Sequence, residues 1–147
     1  MSKNKNNKPI WNTRINKNSI NLFKKIGGSI SVDKRLFNED IEGSIVHVEM
    51  LFKQKIINFK IKNKIVWGLN RVKNEIVKKK FIFDENLEDI HMNVENRLFE
   101  LIGEDAGFIH TARSRNDQVV TDFKIWLKKG TREIIKNLNL TINNILK

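Results

Sequence analysis

Apolar residues recur three to five positions apart in four stretches of the chain, which is the spacing of one face of an α-helix. The pattern predicts three helices and then a longer one, over residues 33–53, 61–79, 87–102 and 116–147. A single Pro and seven Gly argue against a turn-rich β-sandwich. The predicted fold class is therefore all-α.

The segments between these helices carry different signals. Phe81 to Asn86 is predicted to be extended, and Gly103 to Arg115 is predicted to be a loop. Ser31 or Asp33 is the expected N-cap of the first helix, because short polar side chains accept the free N–H groups of a first turn. The last helix has no C-cap, and its apolar stripe is still recurring at Lys147. We expect this stripe to pack against helices outside the sequence.

Charge and composition exclude several classes of protein. The chain has 147 residues, a formal charge of +11 and no Cys, which excludes a disulfide framework and a thiolate metal site. No apolar run approaches the roughly 20 residues of a membrane span. The first residues lack the apolar core of a secretory signal, so a cytoplasmic location is expected. We expect no association with a membrane.

The positive charge lies in two blocks, residues 1–32 and 53–80. Such blocks can bind nucleic acid. However, the chain is also rich in Ile and Asn, and Lys far outnumbers Arg, the better ligand for phosphate. Codons rich in A and T explain this composition, and the second block lies mostly on the polar face of a predicted surface helix. We therefore expect no nucleic-acid partner.

Polar side chains are unusually dense over residues 106–122, AGFIHTARSRNDQVVTD, where the predicted loop enters the last helix. A helix N-terminus offers free N–H groups and a positive dipole end. Arg113 and Arg115 could bind substrate carboxylates in a bidentate manner. A purely structural alternative has equal weight, with Asn116 or Asp117 as the N-cap and both Arg in surface salt bridges.

Two further segments and one His are weaker candidates. The run Glu88 to His91 begins the third helix, where acidic residues are favoured by the dipole alone. Gly27 to Ser31 is a Gly-rich turn without the Lys of a phosphate loop. His47 lies mid-helix and is interpreted as structural. Three His without a helical i, i+4 pair do not predict a metal site, and no cofactor is expected.

Several of these segments resemble one enzyme family. The run HTARSRNDQVVTD, from His110 to Asp122, closely resembles a hallmark segment of argininosuccinate lyases in the fumarase/aspartase superfamily, which includes the δ-crystallins. Glu88 to Gly103 and Ser29 to Leu51 resemble preceding segments of that family, and Trp11 to Arg14 resembles its opening Trp-Gly-Gly-Arg. The resemblance covers roughly residues 11–147.

The resemblance implies a domain organisation. Residues 1–10 would be a basic flexible tail, residues 11–114 the N-terminal helical domain, and residues 115–147 the first part of a long central-bundle helix. Family members are about three times longer. Their Thr-His segment and their Ser-containing loop near a Met-Pro-x-Lys-Lys-Asn-Pro run are not in this sequence. Since these supply the proposed acid and base, the 147-residue chain alone is predicted to be inactive.

The implied reaction is the reversible elimination that cleaves argininosuccinate to arginine and fumarate, the last step of arginine biosynthesis. By resemblance, the substrate is bound by Ser29, Asn116 and Arg115, with Thr111 and Arg113 as further candidates. His91 would support the site, with Asp89 orienting it. The family is tetrameric, and three subunits build each active site. Two alternatives stay open: a catalytically incomplete remnant or split-gene half that acts only as an interaction domain, and, with less support, a basic nucleic-acid-binding helical module.

Overall fold

The computed structural model describes residues 26–146, and every element with regular structure in that range is helical. The helices are α1 (Ile30–Asp33), α2 (Phe37–Lys53), α3 (Phe59–Val77), α4 (Ile90–Ile102) and α5 (Arg115–Ile145). Two 3-10 segments, Lys34–Leu36 and Gly103–His110, join neighbouring helices. The all-α prediction is confirmed. The predicted tail 1–10 and the Trp11 to Arg14 segment lie outside the described residues.

The core forms where α2, α3 and α4 meet, and the 3-10 segment Gly103–His110 closes one side of it. Its fully buried side chains come from one face of each helix: Ile41, Val48 and Leu51 of α2, Ile65, Leu69 and Val72 of α3, and Ile90, Val94 and Leu98 of α4. The apolar spacing placed all of these inward except Leu51, and it also placed Phe52 inward, which is 37% exposed. Burying a side chain of this size contributes about 1.5–3 kcal/mol.

The helix α5 joins this core only through its first turns. Gln118 and Asp122 are its buried residues, and all its described residues after Asp122 are half-buried or exposed. The Lys129 ammonium adds a polar attachment, because it bonds to Glu39 and Glu42 of α2 at 2.8 and 2.7 Å. The apolar stripe of α5 beyond that point remains on the surface.

Capping side chains set the helix ends, and several predicted boundaries were wrong. Asn58 accepts the N–H of Ile61, so α3 begins two residues earlier than predicted. Asp89 accepts the N–H of Met92 and starts α4 at Ile90, rather than at residue 87.

The start of the first predicted helix was also wrong, whereas its end at Lys53 was right. Neither Ser31 nor Asp33 caps it, because α2 begins at Phe37 without a side-chain cap. The predicted loop Gly103 to Arg115 is wrong in part, since Gly103–His110 is a 3-10 helix. The segment predicted as extended contains no strand and turns at residues 85–86.

None of the described helices is both long enough and apolar enough to cross a membrane.

A close approach of α3 to α4 requires a glycine at position 68. A Cβ atom built there would lie 2.4 Å from Leu98 Cδ1 and 3.2 Å from Ile102 Cγ2. Leu98 is fully buried and cannot move aside freely. Gly68→Ala is therefore expected to lower the free energy of unfolding by about 1–3 kcal/mol, despite the better helix propensity of Ala. Urea unfolding measures this value.

The matched control is Gly130→Ala in α5, where an added Cβ meets no atom within 4 Å. This variant is expected to stabilise the chain by about 0.5–1 kcal/mol through helix propensity alone. Equal effects of the two variants would contradict the tight α3–α4 contact.

Candidate active site

Ser114 begins α5 with a reciprocal cap. Its hydroxyl oxygen accepts the N–H of Asn116 at 3.3 Å, and its own N–H donates to Asp117 Oδ1 at 2.7 Å. The structural alternative in which Asn116 or Asp117 is the N-cap is therefore wrong in that detail. Asn116 is exposed, and its side-chain amide has no hydrogen-bond partner within residues 26–146. That amide is available to a ligand at the helix N-terminus.

Arg115 is held by acidic side chains from α4 and its cap. Its Nη1 and Nη2 atoms bond to the two oxygens of Glu95 at 3.0 and 3.1 Å, and its Nε lies 3.3 Å from Asp89 Oδ2. Burial alone would lower the pKa of Arg115, but the Glu95 carboxylate outweighs it and raises that pKa. The guanidinium is therefore a fixed cation that also ties α5 to α4. The bidentate pair is partly buried, not a surface salt bridge.

Thr111 and Arg113 connect the same segment to α2. The His47 ring donates its Nε2–H to the Thr111 carbonyl at 3.0 Å, and Arg113 Nη1 donates to Ser44 Oγ at 3.0 Å. Burial, followed by the nearby Arg113 charge, lowers the pKa of His47. The ring is thus neutral and hydrogen-bonded, in agreement with the structural interpretation of His47. Ala112, between Thr111 and Arg113, has a φ of 52°. Residues other than Gly rarely adopt this backbone conformation, and it often occurs at functional sites.

Ser29 is attached to the start of α4. Its N–H donates to the Glu88 carbonyl at 2.8 Å, and its hydroxyl donates to Asp33 Oδ2 at 2.5 Å. The other Asp33 oxygen accepts the N–H of Ile90 at 3.2 Å. Burial raises the pKa of Asp33, with a smaller opposing effect of the Ser29 hydroxyl bond. Asp33 thus joins Ser29 to the helix that carries His91, a role that the sequence did not reveal.

His91 lies in a buried cluster contributed by three helices. Its Nδ1 atom is 2.8 Å from Asp40 Oδ1 of α2 and 3.5 Å from Asp122 Oδ2 of α5. All three side chains are at most 2% exposed. The prediction that Asp89 orients His91 was wrong in this respect, since Asp89 caps α4 and contacts Arg115. The orienting carboxylate is Asp40.

The charges in this cluster favour bound protons. Burial would lower the pKa of His91, but the bond to Asp40 and the neighbouring carboxylates outweigh it and raise that pKa. Burial, together with the Asp40 charge, raises the pKa of Asp122 to about 7. Neither Asp122 oxygen has a hydrogen-bond partner in the described part of the chain.

The same three side chains offer one nitrogen and two oxygens within 4.8 Å of one another, a ligand set that a divalent cation could use. The sequence does not reveal this set, because its members come from three helices. However, His91 Nδ1 and Asp40 Oδ1 already bond to each other, and the same oxygen accepts the Gln118 amide at 2.6 Å. His91 and Asp40 are thus satisfied by internal hydrogen bonds, whereas the Asp122 oxygens have no such partner among the described residues.

Asp122 makes stability depend on pH with a definite sign. Its pKa of about 7 in the fold lies above the ordinary value of 3.8, so the folded chain keeps a proton that the unfolded chain loses between these values. This carboxyl therefore lowers the free energy of unfolding as pH rises through that window. Asp122→Asn is expected to become progressively more stable than the unmodified chain from about pH 4 to about pH 7.

Urea unfolding at several pH values within this window tests the Asp122 prediction. Asp105→Asn controls for the loss of one negative charge, because Asp105 pairs with Lys64 on the surface, away from the cluster. A stability difference between Asp122→Asn and the unmodified chain that stays constant over the window would contradict the prediction.

These contacts bring most of the predicted site residues together. Ser29, Asp89, His91 and Arg115 are linked through α4, and Asn116 follows directly at the N-terminus of α5. Thr111 and Arg113 line the α2 side of the entering loop. The arrangement combines a helix N-terminus, a fixed guanidinium and an available amide, which together suit an anionic ligand.

Comparisons with known proteins identify the family of this chain. A family model described as Lyase matches residues 13–147. The argininosuccinate lyase of Pelagibacter ubique is 63% identical over all 147 residues, which are 32% of that protein. The argininosuccinate lyases of Ehrlichia chaffeensis and Campylobacter jejuni RM1221 are 47% and 48% identical over 93% and 94% of this chain. The chain spans about a third of the length of these curated relatives.

Proposed function

Because this chain belongs to the lyase family whose model matches residues 13–147, we propose that it is the N-terminal portion of an argininosuccinate lyase. The reaction is the reversible cleavage of argininosuccinate to arginine and fumarate. The observation that carries the proposal is the 63% identity to the Pelagibacter ubique enzyme along the whole chain. A cytoplasmic location and a role in arginine biosynthesis go with it.

This site supplies some of the groups that the elimination requires. A base removes a proton from the carbon beside a carboxylate, and negative charge then builds on that carboxylate. Fixed hydrogen-bond donors and cations stabilise such charge best, because they need no reorganisation. The Asn116 amide is a donor of this kind, and it lies at the positive end of α5. The Ser29 hydroxyl could donate to a substrate only after giving up its bond to Asp33.

Arg115 is proposed to act mainly through the position of its positive charge. Because Glu95 already occupies both ends of its guanidinium, a substrate carboxylate would have to share or displace that pair. Its charge nevertheless adds to the positive end of α5. The general base and acid are not assigned to residues of this chain, and no cofactor takes part in the proposed reaction.

The surface of α5 supports the assembly that the proposal requires. Beyond Asp122 the helix exposes half or more of several large apolar side chains: Phe123, Leu127, Ile134, Ile135, Leu138, Leu140, Ile142 and Ile145. An exposed stripe of this extent favours packing against further helices. We propose that it packs in the central helix bundle of a homotetramer, in which other subunits complete each active site.

The test compares two proteins by following the absorbance of fumarate. One is the 147-residue chain, and the other is the completed chain, in which residues 1–147 are joined to the part of the Pelagibacter ubique relative that the match leaves uncovered. We expect turnover of argininosuccinate by the completed chain and none by the 147-residue chain alone. A folded but inactive completed chain would instead favour a remnant that serves as an interaction domain.

A further inference from the structure

A chain of hydrogen bonds fixes which atom of His91 donates a proton. Arg115 can only donate hydrogen bonds, and its Nη1 bonds to Gln118 Oε1 at 2.8 Å. The amide oxygen of Gln118 must therefore face Arg115, and its NH2 group must face Asp40, at 2.6 Å. Asp40 Oδ1 is thereby an acceptor, so His91 Nδ1 has to donate to it across 2.8 Å.

Acidic groups outnumber basic groups around the His91 ring, and this excess favours a positive charge on the ring. Five carboxyl groups and two guanidinium groups interact with His91 or with its carboxylate partners, and they come from every element packed against the cluster: Asp33, Glu39, Asp40, Asp89 and Asp122 against Arg113 and Arg115. Lys129 bonds to Glu39 and offsets one further carboxylate, which still leaves the acids in excess. A protonated imidazole reduces this negative excess, whereas a neutral ring leaves it uncompensated in a buried setting.

We propose that Asp40 is a positioning residue that holds His91 as an imidazolium, with Gln118 and Arg115 fixing the direction of the bond. His91 then cannot serve as a base. In the proposed function, its positive charge adds to that of Arg115, to which Asp40 and Gln118 link it. The site role rests on that proposed function, but the protonation state of the ring does not.

The measurement is long-range proton–nitrogen correlation NMR of the 147-residue chain labelled with ¹⁵N, across the neutral pH range. His47 is the internal reference, since its neutral ring donates to the Thr111 carbonyl. We expect His91 to keep protons on both ring nitrogens at pH values where His47 has lost one. A neutral His91 under those conditions, or a ring protonated only at Nε2, would overturn the proposal.

Two variants test whether the carboxylates beside His91 keep its ring protonated. Asp40→Asn is expected to lower the His91 titration midpoint markedly, and Asp122→Asn to lower it less, because its oxygen is 3.5 Å rather than 2.8 Å away. The second variant keeps the test decisive if Asp40→Asn does not fold. Asp105→Asn, on the surface, should leave the midpoint unchanged. A folded Asp40→Asn or Asp122→Asn variant with an unshifted midpoint counts against the proposal.

Activity separates this proposal from the function on which it depends. In the completed chain, Asp40→Asn is expected to lower kcat and to move the pH profile, whereas a merely structural role would lower only the melting temperature. If the unmodified completed chain shows no turnover, the proposed function fails while the NMR result stands. If turnover is present and His91 is neutral, the positioning role fails alone.

Discussion

Asn116→Leu in the completed chain is expected to reduce turnover by about 10²–10³-fold, the typical effect of removing one donor to a developing negative charge. The substitution keeps the side-chain volume nearly constant. The Asn116 amide is exposed and makes no hydrogen bond within residues 26–146, so the fold loses no internal contact. The melting temperature should therefore hardly change. Fumarate absorbance and thermal unfolding measure the two quantities on the same samples.

Ser114→Ala is the informative comparison for this prediction. Ser114 is the N-cap of α5, so its replacement should cost about 0.5–2 kcal/mol of stability. The two neighbouring variants thus separate a ligand contact from a cap. An Asn116→Leu variant that melts early and turns over normally would assign Asn116 to the fold and remove it from the site.

The helices were predictable from the sequence, and so were the last residues of α2 and α4, but the first residues of the helices were not. Apolar spacing identified most inward positions of α2, α3 and α4, because burial of one face is a property of the helix itself, but it missed Leu51 and Ile102 and wrongly placed Phe52 inward. The first residue of a helix depends on which polar side chain accepts a free N–H group of its first turn. Asp33 shows why a cap cannot be predicted from the neighbouring sequence alone. It is positioned like a cap, yet it bonds to Ser29 and to Ile90, 57 residues away.

The site was predictable to a similar extent. The dense polar run before and within α5 correctly drew attention to Arg113, Arg115 and Asn116, since they are neighbours in the sequence. Asp40 and Glu95 escaped notice because each stands alone on another helix and resembles a solvated residue. Gln118 and Asp122 gave one usable signal. They are four residues apart on one face of α5, beside its apolar stripe, and both prove to be buried.

His91→Leu in the 147-residue chain is expected to cost about 3–5 kcal/mol of unfolding free energy at neutral pH, the usual consequence of removing one partner from a buried ion pair. Leu fills much of the space, but Asp40 loses its donor at 2.8 Å and Asp122 loses its nearest positive charge. His91→Asn should cost less, because its amide can still donate to Asp40. Urea unfolding measures both variants.

Combining His91→Leu with Asp122→Asn tests whether the cost arises from uncompensated carboxylates. If it does, the double variant recovers part of the lost stability above about pH 7, where the Asp122 carboxyl loses its proton, because only one buried carboxylate is then left without its cation. Residues in one hydrogen-bonded network commonly show such coupling, about 0.5–3 kcal/mol. If the loss came only from the shape of the imidazole, the two substitutions would add. Additive effects would therefore mean that His91 is held by packing rather than by the charges of Asp40 and Asp122.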